Sequence, residues 1–225
     1  MATILENVQG VKARIARAAR AAGRDPESVT LLAVSKTHAV ARIAEARAAG
    51  LNAFGENYVQ EALRKMQSVP GVEWHLVGAL QSNKSRLAAE RFDWVQTVDR
   101  VKLANRLSEQ RPAHLPPLNV LIEVNISGEA SKSGVAVKEV TELAAAISRL
   151  PRLRLRGLMA IPAPGAVGDF AKMRRLYEDL GARFGFDTLS MGMSDDMDEA
   201  IAAGATMVRI GTAIFGARRT EESPA

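Results

Sequence analysis

Eight short apolar runs, each separated from the next by a segment of helical periodicity, constrain the fold of this chain more than any other feature. They are VTLLAVS (29–35), NAFGEN (52–57), EWHLVG (73–78), WVQTV (94–98), NVLIEVN (119–125), LRGLMAI (155–161), TLSMG (188–192) and MVRIG (207–211). Between them lie stretches such as AVARIAEARAAG, VKLANRLSEQ, VKEVTELAAAISRL and FAKMRRLYEDLGARF, and one more helical segment precedes the first run. A strand that is followed by a helix returns to its sheet in parallel, so the alternation predicts an all-parallel α/β architecture. Eight such units in 225 residues predict a closed (β/α)8 TIM barrel at the small end of its usual size, with an extra N-terminal helix.

An open doubly wound sheet is the competing architecture. It normally carries a glycine-rich dinucleotide turn after its first strand, whereas here the first run leads into KTHAV. A phosphate-binding Walker loop is missing too, since GTAIFGAR (211–218) has Ala217 where the lysine belongs. No linker divides the chain: the Pro-rich pieces RPAHLPP and IPAPGAVG fall at joints between elements. Residues 1–219 therefore read as one barrel domain and 220–225, TEESPA, as a flexible tail.

Composition removes several classes of function. With no cysteine there is no disulfide, thiolate nucleophile or Cys-type zinc site, and His38, His75 and His114 lack metal-ligand spacing, so no metal is expected. No run is long enough to span a membrane and the first residues lack the apolar stretch of a secretory signal, which predicts a cytoplasmic protein without a membrane partner. A formal charge of +5 favours anionic ligands weakly. Nucleic-acid association through the arginine-rich surface is a competing reading of that charge, but aromatics are only 4% and no module motif appears.

In barrels of this type the site forms at the carboxyl ends of the strands, which directs attention to Lys36, Asn57, Gly78, Asn125, Ser194 and the stretch Arg209 to Thr212. Lys36 shares side-chain parity with Leu32 and Val34 and so projects to the barrel mouth. A lysine desolvated there loses its proton more easily and becomes a nucleophile toward a carbonyl; a lysine snorkelling to solvent is the plain alternative. At the other end of the chain the seventh run closes on Met-Gly-Met-Ser, setting Ser194 at a helix start, and the eighth on Arg-Ile-Gly-Thr. Those loops are where many such barrels bind phosphate. Asp195 and Asp196 would have to turn outward for a phosphate to sit there. An amine at one end and a phosphate at the other describe a phosphorylated aldehyde across the mouth.

With AVSKTH, FGENYVQE, WHLVGALQSNKSRL, NVLIEVNISGEASKSG, LRGLMAIPAP, LSMGMSDDM and MVRIGTAIFG assembled, nearly the whole chain resembles the pyridoxal phosphate homeostasis protein family, relatives of the N-terminal barrel of alanine racemase. The resemblance implies pyridoxal 5′-phosphate (PLP) as cofactor, held as a Schiff base on Lys36. It places Ser194 and the amides of Gly211 and Thr212 at the phosphate, Arg209 at the pyridine nitrogen, and Asn57, His75 and Met191 among the other cofactor contacts. Read on their own, His75 is a hydrogen-bonded core or rim histidine and Met191 is packing. His38 and Ala79 depart from the family's usual lysine and proline, and the stretch between IPAP and DTLSMG is short.

An arginine at the pyridine nitrogen disfavours its protonation and weakens the ring as an electron sink. The expected function is therefore a cytoplasmic, monomeric PLP carrier with little or no turnover, its partners PLP and, beyond it, PLP-dependent apoenzymes or amino acids. The alternative is a weak PLP-dependent amino-acid racemase, in which Lys36 serves one face and His75 or a water the other. Only Tyr58 and Tyr177 are available as tyrosines.

Overall fold

A computed structural model describes residues 2–129, 132–163 and 165–217. The expected tail, 220–225, lies outside the described residues. Nine parallel strands occur among the described residues: β1 (Thr30–Val34), β2 (Ala53–Glu56), β3 (Glu73–Leu76), β4 (Trp94–Val98), β5 (Leu118–Asn125), β6 (Val135–Ala136), β7 (Leu153–Met159), β8 (Thr188–Ser190) and β9 (Met207–Ile210). Eight of them follow one another around a sheet in the order β4, β3, β2, β1, β9, β8, β7, β5, and a β4–β5 pairing closes it into a barrel. All eight coincide with the apolar runs of the sequence. The two-residue β6 extends the end of β5 through Val124↔Val135 and Asn125↔Ala136; a segment so short carries no periodicity by which to predict it.

The helices are α1 (Ile4–Ala21), α2 (Val40–Ala48), α3 (Val59–Ser68), α4 (Ser85–Arg91), α5 (Val101–Gln110), α6 (Val140–Ile147), α7 (Val167–Phe184), α8 (Met197–Ala202) and α9 (Thr212–Phe215). Helix α1 is the extra N-terminal helix. Thr3 and Glu6 form a reciprocal capping box at its start, and Ile4, Val8, Val11, Ile15 and Ala19 bury one stripe.

Alternation along the strands sorts side chains into two layers. The outward residues, among them Ala33, Phe54, Trp74, Val95, Ile122 and Leu158, join the helices in the main apolar core. The inward residues form smaller groups: Leu32, Val77 and Met207 in one, Trp94, Leu121 and Met159 in another. The same interior also holds His75, Gln96, Glu123, Ser190 and Arg209, all buried. Barrel interiors are usually layers of branched apolar residues; here one layer is polar.

Candidate functional site

Strands β1 and β9 are the first and last of the barrel and pair directly, with Leu32↔Arg209 and Ala33↔Ile210 in register. The residues that follow them therefore meet at the carboxyl end of the barrel. They border a cavity of about 220 Å³ lined by Lys36, Asn57, Ser194, Arg209, Gly211 and Thr212, with Val34 and Val77 as its apolar floor. Six of the eight residues expected around a cofactor are thus brought together. The other two are not: His75 and Met191 are fully buried and do not border the cavity. Asn125 is also elsewhere, its amide turned to the carbonyl of Glu129.

Lys36 sits half-buried two residues beyond β1, and Val34 and Leu32 share its inward side. Its backbone is held from below by a buried ionic cluster. Lys65 of α3 donates to the Ser35 carbonyl (2.7 Å), to Glu56 Oε1 (2.8 Å) and to Glu61 Oε1 (2.7 Å). Ser35 Oγ donates to Glu56 at 2.5 Å and the Thr37 amide to Glu61 at 2.6 Å, so both neighbours of Lys36 are tied to the one cluster. Burial pushes the Glu56 carboxyl up despite the nearby Lys65 ammonium. Thr37 has φ of 65°, the only positive value for a non-glycine residue among those described. A β-branched residue is strained there, and the Glu61 contact helps fix it. Of this cluster only the Glu61–Lys65 pair leaves a mark in the sequence, in FGENYVQEALRK, where the two stand one helical turn apart.

On the opposite side lie the Ser194 turn and α9. Ser194 is not at a helix start, as the sequence suggested; α8 begins at Met197 with Asp196 before it. Asp196 bends back to accept from the Met193 amide at 2.6 Å, which tightens the turn and spends that carboxylate on the backbone. Asp195 does border the cavity, although exposed. Gly211 precedes α9, whose start has no side-chain cap; an added Cβ at Gly211 would sit 3.2 Å from the Val34 carbonyl. Helix α1 supports both pieces. Arg14 donates to the Ser194 carbonyl (2.7 Å) and pairs with Asp198, while Asn7 donates to the Ile214 carbonyl (2.9 Å).

The inner wall belongs to Arg209, only 5% exposed. It donates to Ser190 Oγ (2.8 Å) and to the Ala160 carbonyl (2.9 Å). Burial draws its guanidinium down to about 10, a cation still at neutral pH. Glu123 faces the same interior, and burial raises its carboxyl to about 7. Gly78, after β3, is required by close approach: a Cβ there would fall 2.3 Å from the Asn57 carbonyl oxygen. Among the described residues no group of three or more His, Cys, Asp or Glu is placed to hold a metal. No described helix is long and apolar enough to cross a membrane.

The alanine racemase N-terminal domain family matches residues 7–219. A pyridoxal phosphate homeostasis protein of Pseudomonas aeruginosa is 60% identical over 225 residues, covering 97% of each chain. Another, of Escherichia coli K12, is 58% identical over 229 residues, covering 97% of this chain and 98% of the other. PipY of Synechococcus elongatus, solved with PLP bound, superposes with a TM-score of 0.81 at 35% identity, covering 95% of this chain and all of PipY. An alanine racemase of Corynebacterium glutamicum shares the fold at a TM-score of 0.69 and 19% identity; 96% of this chain corresponds to 62% of that one. The chain therefore belongs to the alanine racemase N-terminal domain family and, within it, to the pyridoxal phosphate homeostasis proteins.

Proposed function

We propose that the protein takes part in PLP homeostasis as a cytoplasmic, monomeric carrier that holds PLP covalently and reversibly on Lys36, with little or no turnover of its own. The observation that carries this reading is the single cavity bordered by Lys36, Ser194, Arg209, Gly211 and Thr212. The donor set suits the cofactor: an amine at one end, the uncapped start of α9 and the Ser194 turn at the other, and a cation on the inner wall. PLP would supply an aldehyde, and Lys36 is the residue whose amine would hold it covalently and reversibly. Ser194 and the amides of Gly211 and Thr212 hold the phosphate in this reading, Asn57 borders the ring, and Arg209 faces the pyridine nitrogen. Its permanent charge there disfavours a second positive charge on the ring. The partners to which the carrier hands PLP are then PLP-dependent apoenzymes or free amino acids.

The racemase alternative is not favoured. His75, its candidate for the second face, is fully buried and engaged with Glu73 at 2.7 Å and Gln96 at 2.9 Å. Tyr177 lies on α7 with its hydroxyl on the Phe186 carbonyl, and Tyr58 is 63% exposed.

Visible absorption of the purified protein, followed by borohydride reduction and peptide mass mapping, tests the reading. A visible band that reduces onto Lys36 and is lost in Lys36→Ala supports it. No band after addition of PLP, or an adduct on another lysine, overturns it. Conversion of an L-amino acid to its D-form by the wild type but not Lys36→Ala would return the racemase.

A further inference from the structure

Arg209 is the first member of an unbroken hydrogen-bonded chain that runs down the inside of the barrel. Arg209 Nη1 donates to Ser190 Oγ (2.8 Å) and Ser190 Oγ donates to Gln96 Oε1 (2.7 Å). Gln96 Nε2 meets His75 Nδ1 (2.9 Å), and His75 Nε2 meets Glu73 Oε1 (2.7 Å). Four strands contribute: β9, β8, β4 and β3. The direction of every bond is fixed by its ends. His75 bonding holds the Glu73 carboxyl below its usual range, so it accepts only, and Nε2 must carry the ring hydrogen. Burial lowers the basicity of His75, leaving Nδ1 bare to accept from the Gln96 amide. The second Gln96 hydrogen points to Met207 Sδ at 3.2 Å. His75 is further fixed by stacking on Trp94, 5.1 Å between ring centres.

Beyond Arg209 no member of the chain borders the cavity, and its middle members are wholly enclosed. Only Glu73, its side chain 46% exposed, reaches water, and it does so at the start of β3, the end of the barrel opposite the cavity. Polar side chains buried in a barrel cost stability unless they are satisfied, and each buried member of this chain has a partner.

We propose that Ser190, Gln96 and His75 are positioning residues for Arg209, and that they couple the guanidinium at the cavity wall to the Glu73 carboxylate at the far end of the barrel. The proposal rests on the reading that Arg209 faces the cofactor ring. Ser190 and the Ala160 carbonyl take one hydrogen from each terminal nitrogen of Arg209, which fixes the rotation of the guanidinium plane relative to the cavity. Glu123 and Asp196 act on Arg209 only through space, and Asp93 on His75 likewise, so the orientation is set by the chain through Ser190 together with the Ala160 carbonyl.

Two measurements test it. In protein free of cofactor, nitrogen NMR of His75 is expected to find one ring hydrogen, on Nε2, in the wild type. In Gln96→Glu, whose carboxylate accepts instead of donating, a second hydrogen is expected on Nδ1 at neutral pH. In protein loaded with PLP, the pH midpoint of the visible band is compared across Arg209→Leu, Ser190→Ala, Ser190→Thr and Gln96→Leu. Ser190→Ala and Gln96→Leu are expected to shift the midpoint in the same direction as Arg209→Leu and to weaken PLP retention roughly three- to tenfold, the worth of one buried hydrogen bond. Ser190→Thr keeps the hydroxyl and is expected to restore both. A midpoint that moves in Arg209→Leu but not in Ser190→Ala or Gln96→Leu, or a wild-type His75 with its hydrogen on Nδ1, overturns the relay and leaves the Arg209 reading standing. An unmoved midpoint in Arg209→Leu overturns the reading on which the relay depends.

Discussion

The ammonium of Lys65 donates to the backbone carbonyl of Ser35 across 2.7 Å, so a buried lysine holds the peptide immediately before Lys36. Its other two acceptors are carboxylates, Glu56 and Glu61. The two lysines are thereby sorted by environment. Lys65 is a cation enclosed by acceptors away from the cavity, and Lys36 borders it.

Replacing Lys65 by Met leaves Glu56, wholly buried, without its counter-charge. Removing one partner of a buried pair destabilises by about 3–5 kcal/mol. Urea unfolding of Lys65→Met is expected to show a loss of that size, and Glu56→Gln combined with Lys65→Met is expected to recover a large share of it. A loss below about 1 kcal/mol, as for exposed pairs, would mean the cluster does not bear on the fold.

Gly78→Ala places a methyl 2.3 Å from the Asn57 carbonyl oxygen, and backbone, not a flexible side-chain end, must move. Overpacking of this kind costs about 1–3 kcal/mol. Because Asn57 borders the cavity, PLP retention is expected to fall together with the melting temperature; a variant that loses neither would show that the β2 and β3 ends slide apart freely.

Glu123 supplies a pH dependence. Its carboxyl rises from 4.5 to about 7 on folding, so between those values the folded chain holds a proton that the unfolded chain has released. Stability from this group is full below pH 4.5 and is lost as pH rises through 7, by roughly 3 kcal/mol. The difference in urea-unfolding free energy between wild type and Glu123→Gln is expected to fall over that window with the wild type losing ground. A difference flat in pH would mean Glu123 is ionised when folded.

Arg14→Ala removes the charged donor on the Ser194 carbonyl and its partly exposed pair with Asp198. The Ser194 turn, proposed above to hold the phosphate, loosens while Lys36 is untouched. Isothermal titration is expected to give PLP binding weaker by roughly fivefold, the equivalent of about 1 kcal/mol, and pyridoxal, which has no phosphate, unchanged. An equal loss for both ligands would place Arg14 in general stability instead.

Strand positions were legible because a barrel strand is buried on both faces, and runs such as NVLIEVN therefore stand out from their neighbours. Lys36, Asn57, Ser194, Arg209, Gly211 and Thr212 were findable because each closes such a run. What supports them was not. Lys65 and Glu56 read as ordinary helix and strand charges, and Arg14 as one of many arginines on a solvated helix, since their partners are far along the chain. Gln96 and Ser190 sit within apolar runs where a single polar residue gives no sign of facing inward. His75 and Met191 show the reverse: their strands do end at the site, but alternation and depth leave both side chains short of the cavity.

The pairing of the first strand with the last has a consequence for synthesis. Lys36 leaves the ribosome early, yet Arg209, Gly211 and Thr212, beside which it is to lie, are made near the end, and α1 waits on the same segment for the carbonyls of Ser194 and Ile214. Contacts so distant along the chain form late in folding. A chain stopped before Arg209 has Lys36 but not the last strand that pairs with β1, so the cavity beside that lysine is not yet built.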